Sequence, residues 1–215
     1  MGKKNYSEEY TAIRNCILFA VFFVVILLIY FPVINSSYLY GDDYLLFYPK
    51  IGGNIHFSEN FKGFSTYKQL FGWAAIQLGR PGFFLIAFLG NIFIDSLSVA
   101  NIFRMVAIIA LVCFCYLNWV WCRKHSFMRV DAFIMIIIIA TTPTINLSIA
   151  WITANGAIFG LLLSTISVLI VNRSLQANTK KTQMIYYIIA IGLMGLALGT
   201  YQPSAMYYWV MLAIM

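Results

Sequence analysis

The sequence predicts an all-α, polytopic transmembrane helical protein, and three observations carry that expectation. Hydrophobic residues make up 62% of the chain and charged residues only 10%, against about 25% charge in soluble domains. The apolar residues are gathered into runs close to the roughly 20 residues a helix needs to cross a bilayer. The cations behind the net charge of +7 lie in short clusters between those runs, as the positive-inside rule requires. A soluble globular protein is excluded by this composition. Nucleic-acid binding is excluded as well, because no basic stripe with interleaved aromatics lies outside the runs.

In chain order, the expectation is one transmembrane domain over 1–215. A cytoplasmic N-terminus, 1–15, carries Lys3, Lys4 and Arg14, and the first span covers 16–34. Its apolar core exceeds the 7–15 residues of a signal peptide, and Asn35-Ser36-Ser37 offers no cleavage site, so the helix is expected to be retained. An external loop over 35–82 follows, then an apolar but short segment, 83–95, bounded by Pro81-Gly82 and Asp95. Further spans are expected over 99–121, 132–150, 157–171 and 184–199, with another beginning at 204–215.

Charge decides the parity. If 83–95 lies in the interface or re-enters without crossing, Arg123, Lys124 and Arg129 fall on the N-terminal side, with Arg173, Lys180 and Lys181. If it crossed, both clusters would move outside, against the rule. The non-crossing version leaves Lys50, Lys62, Lys68 and Arg80 outside, and Arg104 within a span. The loop 35–80, the turn 151–156 and Tyr201-Gln202-Pro203 then share the external side. Tyr116, Trp119, Trp121, Trp151, Tyr186 and Tyr187 sit near span ends, where aromatic residues form interfacial belts. Cys16, Cys113, Cys115 and Cys122 match neither a disulfide framework nor a zinc motif and read as small packing residues.

The external loop carries the chemistry. Asp42 and Asp43 stand side by side in a chain with only seven acidic residues. Carboxylates are costly inside a bilayer, about 3 kcal/mol at a span centre on insertion scales, and near it they usually have a partner or a task. Tyr40, Tyr44 and Tyr48 are spaced by four and share one face of a short interfacial helix that Pro49 and Gly52-Gly53 end. One aspartate at its first turn is explained as an N-cap; two repel each other and add no capping. A carboxylate in reach of an acceptor hydroxyl acts as general base. Arg80 of Gly79-Arg80-Pro81 has the forked donors that meet a phosphate leaving group, or it is an interfacial arginine extending its head toward water. Lys62 and Lys68 are secondary phosphate candidates. No metal site and no cofactor is assigned. The one cofactor candidate is a divalent cation held by His56, Glu59 and the aspartates, which supply suitable donor types without tight spacing.

Two shorter pieces share that side. Trp151 opens the turn 151–156 and offers a face for a sugar ring, or belongs to the belt. Tyr201 and Gln202 offer hydrogen-bonding groups where Pro203 kinks or restarts the helix. Pro143, flanked by threonines and followed by Asn146, is the clearest break inside a span.

The order of one span, Tyr40-Gly41-Asp42-Asp43, a loop of about forty residues, Gly79-Arg80-Pro81 and a later Tyr201-Gln202-Pro203-Ser204 resembles the glucosyltransferase II family. These are membrane glucosyltransferases that modify bacterial O-antigen in serotype conversion, similar to the wider GT-C superfamily. The resemblance implies Asp42 and Asp43 as the acidic pair, Arg80 as the motif arginine, and Tyr201 and Gln202 as a tyrosine-glutamine segment at a helix end. It implies a polyprenyl-phosphate-linked sugar, glucose above all, as donor and a lipid-linked glycan such as O-antigen as acceptor. Transfer would occur on the periplasmic face of the bacterial inner membrane, alongside a donor-synthesising transferase and a flippase.

Family members are longer and carry further spans, and Met215 falls inside an apolar stretch, so a C-terminally incomplete chain is expected. Two other readings stand beside the enzyme: a transporter or flippase for a lipid-linked or anionic solute, and an inactive remnant of the transferase.

Overall fold

The computed structural model describes residues 3–35, 80, 82, 85, 97–150 and 154–213, with side chains of the first helix from residue 13 onward. All regular structure among them is helical: α1 (Lys3–Ile34), α2 (Leu97–Lys124), α3 (Arg129–Ala140), α4 (Pro143–Ala150), α5 (Gly156–Leu175), α6 (Lys180–Thr200), α7 (Gln202–Ala205) and α8 (Tyr207–Leu212). Four helices are long and apolar enough to cross a membrane, and α3 with α4 makes a fifth span if the bent pair is one unit. The protein is therefore a multi-pass helical membrane protein. Spans expected at 16–34, 99–121, 157–171 and 184–199 correspond to α1, α2, α5 and α6. The segment 83–95 lies outside the described residues except for Leu85, which is exposed.

Each helix end has a local cause. α2 contains neither Gly nor Pro and runs unbroken until Arg123 and Lys124 in its last turn, where cations complement the helix dipole. Ser126 then takes φ 69°. That left-handed residue lets Phe127 N–H reach back to the Cys122 carbonyl, 3.2 Å, which satisfies an otherwise orphaned acceptor. The expected span 132–150 is broken instead of continuous. Thr141 Oγ1 donates to the Ile137 carbonyl and Thr142 Oγ1 to the Ile139 carbonyl, which competes with helix continuation. Pro143 opens α4, a position where its missing N–H costs nothing. The two halves meet at 55°. Between α5 and α6, Thr179 caps α6 by accepting from Thr182 N–H.

Directions follow from the contacts. Phe19 of α1 packs edge-on against Tyr116 of α2, and Phe22 against Phe133 of α3. Phe22, Ile26 and Tyr30, spaced by four, form one buried face of α1 against Ile108, Leu111 and Phe114 of α2 and Ile136 of α3. Tyr30 donates to the Ala140 carbonyl at 2.7 Å, one of the acceptors left over where α3 ends. So α1 and α3 run parallel, and α2 runs opposite to both. At one end Arg14, Arg123 and Arg129 line a common cleft. At the other, Arg104 reaches the Ala150 carbonyl, 3.2 Å, and Asn155 reaches the Phe103 carbonyl, 3.5 Å. Residues 35 and 97 both belong to this second end.

Several buried polar side chains inside the bundle are paired, whereas Trp121 Nε1 is buried with no partner among the described residues. Arg104, in the middle of an apolar sequence, is fully buried and also donates to Asn101 Oδ1. Ser167 donates to the Ala190 carbonyl, 2.8 Å, tying α5 to α6. Asn118 donates to the Phe114 carbonyl and Thr165 Oγ1, and accepts from Tyr207 Oη at 2.9 Å. That last bond anchors α8 to α2 and α5, beside the apolar contact of Met211 with Trp121 and Val168. Replacing Tyr207 by Phe leaves the Asn118 oxygen short of a donor and is expected to destabilise by about 1 kcal/mol, within the range for hydrogen bonds between membrane helices. Thermal unfolding in detergent measures it. An unchanged midpoint would mean that the bond contributes nothing.

Candidate site at the Arg80 end

Three local features bring Arg80 and Tyr201 together. The first is the end of α6. Thr200 Oγ1 donates to the Ala197 carbonyl at 2.8 Å, and Tyr201 leaves the helix with φ −155° and ψ 102°. The chain restarts at once as α7, with Pro203 near its N-terminus. Pro203 thus marks a stop and restart. Tyr201 is half-buried at the break, and Gln202 is exposed.

The second feature is the close approach of Gly82 to the end of α6. A β-carbon on Gly82 would stand 2.9 Å from the Gly199 carbonyl carbon and 2.9 Å from Thr200 Cγ2. Only a residue without a side chain fits there, so Gly82 packs its backbone directly against the end of α6. The third is Gly160 of α5, where a β-carbon would meet Ser204 Cβ at 3.2 Å and Thr200 Oγ1 at 3.3 Å. It lets α5 approach the break from the other side.

The result is a guanidinium stacked on an aromatic face. Arg80 Cζ stands 4.8 Å from the centre of the Tyr201 ring, inside the range of a cation–π contact. Arg80 Nε is buried and has no hydrogen-bond partner among the described residues. A buried donor without an acceptor is costly, and an anion delivered to this side of the ring would satisfy it. No family model, curated protein or solved structure matches the chain. The chemistry of the site is therefore argued from its own residues.

Beside Tyr201 a cleft of about 360 Å³ opens between the α3–α4 break, α5 and the α7–α8 segment. Thr142, Thr144, Ser148, Ser204, Tyr201 and Tyr207 bring hydroxyl-bearing side chains to a wall completed by apolar residues such as Leu161, Pro203 and Val210. It offers an amphipathic ligand an apolar channel next to a cation.

Of the residues singled out from sequence, Arg80, Tyr201 and Gln202 fall at this end, and the first two are in contact. Asp42, Asp43, Tyr40, Tyr44, Lys62, Lys68 and Trp151 lie outside the described residues, as do His56 and Glu59. Among the described residues no group of three His, Cys, Asp or Glu side chains could hold a metal. Sequence reasoning missed the two close-approach glycines. A glycine three residues beyond Gly79 in a loop, and one inside an apolar helix, carry no signal of what presses against them.

Proposed function

We propose that the chain is a membrane glycosyltransferase of GT-C-like type. It transfers a sugar, glucose above all, from a polyprenyl-phosphate donor to O-antigen or a related lipid-linked glycan on the periplasmic side. What supports this reading most is the stacking of Arg80 on Tyr201. Arg80 of the Gly-Arg-Pro motif and Tyr201 of the Tyr-Gln-Pro motif, which carry the family resemblance, are far apart in sequence and in contact at one end of the bundle.

In the proposed reaction Asp42 or Asp43 takes the proton of an acceptor hydroxyl. The hydroxyl oxygen forms a bond to the anomeric carbon as the carbon–oxygen bond to phosphate breaks. The bonding pair leaves with the polyprenyl phosphate, and Arg80 meets the charge that develops there. Tyr201 fixes the guanidinium plane, and the cleft beside it takes part of the lipid chain. The aspartates act from the segment before Arg80, whose far end, Asn35, belongs to the same end of the bundle.

The test is glycan mass in cells that express the chain and supply polyprenyl-phosphate glucose. A hexose increment is expected with the wild-type chain and none with Asp42→Ala/Asp43→Ala at equal membrane abundance. No increment from the wild type, or an increment that survives in the double variant, would overturn the assignment. A transporter or flippase is the second reading, favoured by the bent α3–α4 span, since transporters build sites at broken helices. Solute movement by the purified protein without glycan product would select it.

A further inference from the structure

The end of the bundle opposite Arg80 carries its own opening, a cleft of about 700 Å³ between α1, α2 and α3. Arg14 enters it from α1, Arg123 from the last turn of α2, and Arg129 from the start of α3. Positive-inside charge requires cations on this side of the membrane; it does not require three helices to place them around one cleft. Among the described residues no carboxylate lines it. Asp131, two residues from Arg129, stays outside. Arg123 is held in place by donating to the Phe127 carbonyl in the turn after α2, one of the five N–H donors a guanidinium has. Arg14 and Arg129 are exposed.

The rest of the lining is apolar or aromatic. Ile17 and Val21 on α1 and Val130 on α3 are exposed toward the lipid, and Tyr116 and Trp119 of α2 form the wall between them. Three arginines line this one cleft with no carboxylate among its described lining residues, and guanidinium forks match phosphate oxygens. The apolar wall continues along the lipid-facing side of α1, one to two turns from Arg14. A small soluble anion would use the arginines and leave that wall unused. A molecule with a phosphate head and hydrocarbon chains uses both, and basic pockets between membrane helices suit such heads.

We propose that this cleft is a binding site for an anionic phospholipid. Its phosphate is held by Arg14, Arg123 and Arg129, and an acyl chain lies along Ile17 and Val21. The site is separate from the Arg80 end and stands whether or not the chain transfers a sugar.

The test is a titration of the purified full chain in neutral detergent, read by native mass spectrometry. Phosphatidylglycerol is expected to bind in preference to phosphatidylcholine. Arg14→Gln/Arg129→Gln is expected to weaken phosphatidylglycerol binding about tenfold or more, since each basic group near a charged lipid surface contributes on the order of a factor of five. Lys180→Gln/Lys181→Gln removes the same charge from the α5–α6 turn, outside the cleft, and is expected to change binding less than about twofold. An equal loss in both double variants would reduce the site to diffuse surface charge. No loss in the arginine variant would overturn the proposal, and so would displacement of the lipid by equimolar glycerol phosphate, which would mark a free-phosphate site. A measurement without variants covers the case of a misfolded mutant: phosphatidylglycerol brominated in its acyl chains should quench tryptophan fluorescence of the wild type more than brominated phosphatidylcholine. Equal quenching would also overturn it.

Discussion

Replacing Arg80 by Ala is expected to lower the rate of the proposed sugar transfer by about 10²–10³-fold, the usual effect of removing one preorganised group that faces developing negative charge. The argument rests on the setting of the side chain. Its guanidinium is stacked on Tyr201 at 4.8 Å, and its Nε is buried without a partner among the described residues, so it is held ready and one donor is unspent. Arg80→Lys keeps the charge but loses the planar fork and the stacking, and an intermediate rate is expected. Tyr201→Phe keeps the ring and should stay close to wild type, whereas Tyr201→Leu should fall toward the Arg80→Ala level. Rates are compared at equal amounts of membrane-inserted protein. Full transfer by Arg80→Ala would reduce the residue to an interfacial arginine.

Gly82→Ala is expected to be the most damaging single methyl added to the described residues. The new carbon would press on the Gly199 carbonyl carbon and on Thr200 N and Cγ2, at 2.9–3.0 Å. Two of those atoms are backbone and cannot rotate away. Overpacking of this kind costs about 1–3 kcal/mol, and the strain is relieved by moving the 80–82 segment off α6, which carries Arg80 away from Tyr201. Transfer should therefore fall further than the unfolding midpoint alone explains. Gly160→Ala is the milder contrast, because its nearest neighbours at 3.2–3.3 Å are the side chains of Ser204 and Thr200. Wild-type stability and rate in Gly82→Ala would show that the close approach does not govern the site.

The spans were legible because hydropathy and length are properties of the chain itself. Residues 99–121 and 157–171 announce α2 and α5 to within four residues at each end. The break at Thr141–Thr142 was half legible: Pro143 and its threonines marked the place, but not the 55° angle, which depends on hydroxyls bonding back to carbonyls. Arg104 could be placed in a span, but not paired; its partners Asn101 and Ala150 come from its own helix and from a helix end 46 residues away. The Asn118–Tyr207 bond was invisible for the same reason, since nothing in a sequence says which apolar runs will face each other. The cations of the N-terminal side could be assigned to one surface by counting. That Arg14, Arg123 and Arg129 converge on a single cleft, and Lys180 and Lys181 do not, follows only from helix packing. At the other end the contact of Arg80 with Tyr201 joins two motifs that sequence could name but not bring together.

The bend between α3 and α4 also bears on the membrane around the protein. The 12 residues of α3 and the 8 of α4 span about 18 Å and about 12 Å along their own axes at 1.5 Å per residue. With α3 upright and α4 tipped by 55°, their combined reach along the membrane normal is only about 25 Å, against a hydrocarbon thickness of about 30 Å. The straight 20-residue α5 beside them reaches about 30 Å. One flank of the molecule is thus shorter than the other, and a bilayer adapts to such a mismatch by thinning at a cost of fractions of a kcal/mol per ångström. If the pair is one span, such thinning would bring water and lipid carbonyls closer to Thr141 and Thr142 on that flank, and the lipid-linked donor proposed above would have less hydrocarbon to skirt there.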